Sequence, residues 1–180
     1  LYLATGGPED ILEDTSVSSA LYRGVLEMKK IQNNDGGWGY RADSRSDLSC
    51  AQFAVMGLAA VAPIFPDSAD PFPRAIGYSE LTQAPEGGHG YTTPTSLRGS
   101  MSAAGLWLYR LMGVPTTDSR VQRDLAKIID FYEYQGNPGA GTSWYYYYAW
   151  SLAKAMEMCP IGDRPGLGAE YVGGERDPIM

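Results

Sequence analysis

Gln32-Asn33-Asn34-Asp35-Gly36-Gly37-Trp38-Gly39-Tyr40 is the stretch on which the fold turns. It returns 51 residues later as Gln83-Ala84-Pro85-Glu86-Gly87-Gly88-His89-Gly90-Tyr91. Both read Gln, two variable residues, an acid, Gly-Gly, one ring residue, then Gly-Tyr. A third, degenerate copy begins 52 residues further on, at Gln135, and runs through Gly136, Asn137, Pro138, Gly139, Ala140 and Gly141 to Trp144 and Tyr145. Three Gln anchors at nearly constant spacing mark an internal repeat.

Each anchor lies between two helical patterns of different character. Before the first, Val17, Ala20, Leu21, Val25, Met28 and Ile31 share one face, and Arg23, Glu27 and Lys30 lie elsewhere. Before the third, Val121, Leu125, Ile128, Ile129 and Tyr132 do the same against Arg123, Asp124, Lys127 and Asp130. Such spacing predicts amphipathic helices with one wet side. The segment from Pro73 to Gln83 is a shorter version, with Pro73 suited to a first helical turn. After each anchor the pattern changes. Leu48 to Ala62 is apolar on nearly every side, as is most of Met101 to Met112, and Trp144 to Met158 is strongly aromatic. These helices need cover on more than one face, with Asp47, Ser100 and Ser143 as expected N-caps.

The expectation is therefore an all-α chain of outer–inner helix hairpins, spanning about 15–62, 72–113 and 119–158 of a single domain 1–180. Residues 159–180 form a tail or an incomplete further repeat. Curving such pairs places an inner ring of buried helices inside an outer ring. The 22 Gly and 12 Pro would otherwise suggest disorder or a loop-rich β protein. They act here as punctuation between helices.

Composition removes several classes of function. With 14 basic against 21 acidic side chains the net charge is −7, which opposes nucleic-acid binding. The longest apolar run, Phe53 to Phe65, is too short to span a bilayer and contains Pro63. Cys50 and Cys159 make no disulfide framework, and the single His89 rules out a His-rich metal site. The chain opens on Leu1, so it is read as processed or as excised from something longer.

Gln32, Gly36 and Trp38 resemble the repeat shared by squalene–hopene and oxidosqualene cyclases. The unit from Gln32 to Ala59 is also similar to the repeat of protein prenyltransferase β subunits. It looks closest to bacterial "prenyltransferase and squalene oxidase repeat" proteins, with Ser46 to Phe53 as the helix after the loop. The resemblance covers about Thr15 to Met158 and implies an α/α-toroid, here incomplete or partial because three hairpins are fewer than a closed ring uses. It also implies that Gln32, Gly36, Trp38, Gln83, Gly87, His89, Gln135 and Trp144 are structural ties between hairpins. A Gln side chain can bond exposed backbone at the next helix start.

Cyclisation by a class II cyclase needs a carboxylic acid kept neutral in an apolar cavity. The family's Asp-x-Asp-Asp motif is absent, and the inner-helix acids are Asp47 and Glu157. The acidic run from Glu9 to Asp14 loosely resembles a magnesium cluster, but also reads as acid enrichment ahead of a helix. Prenyltransferases hold zinc with Asp, Cys and His. Asp47, Cys50 and His89 form the corresponding candidate set, with Asp-x-x-Cys in place of Asp-x-Cys and the His on a loop. The alternative is a small buried Cys50 and an imidazole stacking in place of Trp38.

Phe53, Trp107, Tyr145, Tyr146, Tyr148 and Trp150 are candidates to line a cavity for an apolar or isoprenoid ligand. Their other reading is packing between hairpins. Function is thus expected to be a binding module, with such a ligand or a protein partner. The alternative is a cyclase or prenyltransferase whose catalytic residues lie partly outside this chain. Open array edges further predict missing flanking sequence or self-association.

Overall fold

A computed structural model describes residues 15–160. The acidic stretch 9–14 and the tail beyond Pro160 lie outside the described residues. Six α-helices and no strand form among the described residues, so the chain is all-α, as its periodicity predicts. They are α1 (Thr15–Lys30), α2 (Leu48–Val61), α3 (Phe72–Thr82), α4 (Gly99–Leu111), α5 (Ser119–Asp130) and α6 (Tyr145–Glu157). A 3-10 turn, Pro66–Ala69, sits between α2 and α3.

Local chemistry sets the helix starts. The Asp47 carboxylate accepts from Cys50 N at 2.9 Å and caps α2. Asp118 accepts from Arg120 N at 2.9 Å and caps α5. The other two expected caps are corrected. Arg98, not Ser100, is the N-cap residue of α4, and Ser100 N donates instead to Asn137 Oδ1 at 2.8 Å. Trp144, not Ser143, precedes α6, in the left-handed region with φ 61°. In both cases a distant loop or a backbone turn supplies what a local hydroxyl was expected to supply.

Helix α4 is the centre of the molecule and contacts α2, α3, α5 and α6. Every residue from Gly99 to Tyr109 is buried, which is why its sequence is small and apolar all round. One core cluster packs Trp38 with Leu48, Val55 and Leu58 of α2, and with Ala75 and Tyr78 of α3. A second joins Leu106 and Tyr109 to Val121, Leu125 and Ile128 of α5 and Ala155 of α6. The 3-10 turn pins α1 to this body. Lys29 Nζ bridges Asp67 at 3.1 Å and Asp70 at 2.7 Å, and Ser68 Oγ donates to Leu58 O at 2.9 Å.

Helix α6 departs from the expectation that every aromatic or apolar inner helix is covered on several faces. Only Tyr148, Ser151 and Ala155 are buried on it. It packs chiefly on α4. Tyr146 and Trp150 remain exposed.

Candidate functional site: an aromatic cavity held by three loops

The three glycine-rich loops share one backbone turn. Asn33 N donates to Gly37 O, Ala84 N to Gly88 O and Asn137 N to Gly141 O, at 2.9, 2.9 and 2.7 Å. Each turn is closed again three residues on, by Gly36 N to Asn33 O, Gly87 N to Ala84 O and Ala140 N to Asn137 O. This hydrogen-bond register puts Gly136, not Gln135, in the place of Gln32 and Gln83. Gln135 is exposed, and it is one residue out of step with the anchors it resembles.

The first two loops grip the next outer helix. Gln32 Nε2 donates to Gly36 O at 2.9 Å and to Pro71 O at 3.1 Å, ahead of α3. Gln83 Nε2 donates to Arg120 O at 2.9 Å and to Asp124 Oδ1 at 2.8 Å, on α5. Gly36 and Gly87 have φ near 90°, and a Cβ on either would lie 2.1 or 2.2 Å from the carbonyl oxygen of Arg74 or Arg123. No side chain fits there, and the left-handed backbone strains any L-residue besides.

Loops also reach back to the preceding inner helix. Tyr91 O accepts from Leu48 N at 2.9 Å, and Pro138 O accepts from Gly99 N at 2.8 Å. The first turns of α2 and α4 are therefore each fixed by the loop that follows in sequence, which satisfies donors that helix ends leave open.

Trp38 and His89 occupy matching places but solve them differently. Trp38 is buried and donates through Nε1 to Met28 O at 2.9 Å. His89 is fully buried, with Nδ1 3.0 Å from Thr82 Oγ1 and Nε2 2.9 Å from Asp124 Oδ2. Asp124 Oδ1 also accepts from Gly88 N at 2.8 Å. Asp124 stands four residues after Arg120, where Ala75 stands four after Pro71. The smaller ring is thus matched by an acid that reaches in where the first junction has Ala. Gly105 completes the fit, since a Cβ there would sit 2.3–2.6 Å from the imidazole.

These contacts leave His89 no free ring nitrogen for a metal. Asp47 is spent on the α2 cap and on Ser49 Oγ at 2.6 Å. Burial, with the Asp47 carboxylate beside it, pushes the Cys50 thiol up to about 12. Asp47 and Cys50 adjoin at the start of α2, but no group of three or more such side chains able to hold a metal occurs among the described residues, so His89 does not complete the set. The candidate zinc set is corrected accordingly.

What the junctions do assemble is a cavity of about 340 Å³ at the starting ends of α2, α4 and α6. Its rings are Tyr40 and Tyr91, the tyrosines that close the first two loop motifs, together with Phe53, Trp144 and Tyr147. Met101, Ser49, Ser100 and Arg98 complete the lining. No lining residue is a carboxylic acid. Tyr147 donates to Gln52 Oε1, whose amide nitrogen lies 3.3 Å from Ser151 Oγ, so α2 and α6 are joined behind the cavity. Burial raises the Tyr147 and Tyr91 phenols above their ordinary range, so both are neutral at physiological pH.

Of the aromatic candidates, Phe53 alone lines this space, stacked on Trp150 at 5.9 Å between centroids. Trp107 is buried and meets Trp150 edge-on at 4.9 Å, and Tyr148 is buried against α4. Tyr145 and Tyr146 pack edge-on against each other, with Tyr145 Oη donating to Tyr134 O at 3.0 Å. Trp144, read from the sequence as a loop tie, also lines the cavity. Tyr40 and Tyr91 were within reach of sequence reasoning, because each ends a repeated motif. Arg98 was also visible, as a lone cation before an apolar helix.

No helix among the described residues is long and apolar enough to cross a membrane. Comparison with protein-family models, with curated proteins and with solved structures finds no match for this chain.

Proposed function

We propose that this chain is a binding module of the squalene-cyclase-like repeat kind, an incomplete α/α-toroid that holds an apolar ligand. The carrying observation is the cavity itself, walled by five aromatic rings at the junction of three helices. Its volume falls at the lower end of small-molecule sites, roughly 300–1,000 Å³, which are lined mainly by apolar and aromatic side chains. Parallel loop-to-helix ties at Gln32/Gly36 and Gln83/Gly87 support the repeat architecture. The lining supplies faces for an isoprenoid or similar hydrocarbon and no acid to protonate one, which favours binding over cyclisation.

The test is a fluorescence titration with farnesol, an uncharged isoprenoid alcohol. Trp144 lines the cavity and reports its occupation. Saturable quenching that disappears in Trp144→Phe supports the reading, and an unchanged spectrum up to the solubility limit contradicts it.

A further inference from the structure

One wall of the cavity is not apolar. Arg98 is partly buried at the start of α4, and only its backbone is engaged, N donating to His89 O at 3.3 Å and O accepting from Ser102 N at 2.9 Å. Among the described residues no carboxylate pairs with its guanidinium, in a chain that carries seven excess negative charges. Three arginines that meet the loops from the outer helices are used: Arg74 Nη2 donates to Asn33 O at 2.6 Å, Arg123 Nη2 to Gln83 Oε1 at 3.0 Å, and Arg120 pairs with Asp118 and Glu80. Two residues along, Ser100 lines the same cavity and is 2% exposed. Its Oγ accepts from Asn137 Nδ2 at 3.1 Å, and its own proton has no acceptor among the described residues. A buried hydroxyl with an uncommitted donor, beside a cation without a counter-charge, describes a place for an anionic oxygen.

Resting on the apolar-ligand reading above, we infer that the ligand ends in a carboxylate, held by Arg98 and Ser100, with its apolar body against the rings. A single guanidinium fits one negative charge bidentately. Phe53 and Tyr147, whose rings lie 6.3 Å apart between centroids, take the hydrocarbon portion.

The experiment titrates the purified chain with dodecanoate, dodecanol and dodecylamine below their aggregation limits, following tryptophan emission. Dodecanoate is expected to bind at least about tenfold tighter than dodecanol, the size of one charge-assisted hydrogen bond. Arg98→Gln abolishes that preference, while Arg98→Lys restores part of it. Ser100→Ala narrows it several-fold, and rising salt weakens it because the guanidinium is partly solvated. Equal affinity for acid and alcohol, or tighter binding of the amine, overturns the carboxylate inference and leaves the apolar-cavity reading standing. Binding of none of the three overturns both.

Discussion

Asp124 Oδ2 lies 2.9 Å from His89 Nε2 with both side chains fully buried, and the same carboxylate holds Gln83 Nε2 and Gly88 N. One acid thus satisfies three donors at the junction of the second loop with α5. Replacing it strands all three in a dry site. Asp124→Ala is expected to destabilise the fold by about 3–5 kcal/mol, because each buried donor left without its acceptor costs about 1–3 kcal/mol. Gly105→Ala, which drives a methyl into the imidazole, is expected to cost about 1–3 kcal/mol. Urea denaturation followed by circular dichroism measures both. A loss below about 0.5 kcal/mol for Asp124→Ala would show that the network carries no stability.

Register in the third loop is checked by substitutions that look equivalent in sequence and differ in the fold. Gln83→Ala leaves Arg120 O without its side-chain donor and removes one of the two backbone and side-chain donors to Asp124 Oδ1, and is expected to cost about 1–3 kcal/mol. Gln135→Ala, at an exposed position, is expected to stay within about 0.5 kcal/mol. Gly36→Ala should cost more than about 2 kcal/mol, since its Cβ meets the Arg74 carbonyl and φ is positive. Ala140→Gly, the matching place in the third loop, should cost no more than about 1 kcal/mol.

Acid should weaken the start of α5. Hydrogen bonds from the Arg120 side chain hold the Asp118 carboxyl down to about 2, from an ordinary 3.8. A carboxylate lowered on folding contributes fully above its unfolded value and loses that contribution as pH falls through the folded one. Stability should therefore drop between about pH 4 and pH 2, and Asp118→Asn should flatten that part of the profile. Chemical denaturation at stepped pH reads the difference between the two proteins.

Cysteine chemistry should be slow in the native protein. The Cys50 thiol, raised to about 12, carries almost no thiolate at neutral pH, and Cys159 is fully buried. Iodoacetamide at pH 7.5 is expected to label both far faster in urea than in buffer. Rapid native labelling of Cys50 would show an activated thiol.

The helices were legible because their apolar periodicity, Gly-rich breaks and Pro73 speak locally, and local signals survive in a sequence. The tie made by Gln83 was legible in kind, from its spacing to Gly87. Asp124 was not, because it reads as one more charge on an amphipathic helix, while its partners Gln83, Gly88 and His89 lie 41, 36 and 35 residues away. Gln135 misled because residue identity and hydrogen-bond register part by one position there. Most of the cavity escaped for a related reason. Its rings come from loop ends and helix first turns, and only the junctions bring Tyr40, Tyr91, Trp144 and Tyr147 together. Runs of aromatics such as Tyr145 and Tyr146 drew attention instead, although consecutive residues on a helix point to different sides.

The cavity at the starts of α2, α4 and α6 is proposed to receive an apolar molecule. Isothermal titration with farnesol at several temperatures tests it most directly, in the wild type and in Phe53→Asp. Phe53 is 48% exposed, so the charge can be introduced without burying it in the core. One site per chain and a negative heat-capacity change from apolar burial are expected, with binding lost in the variant. Absence of saturable heat in the wild type, or equal binding by Phe53→Asp, would contradict it.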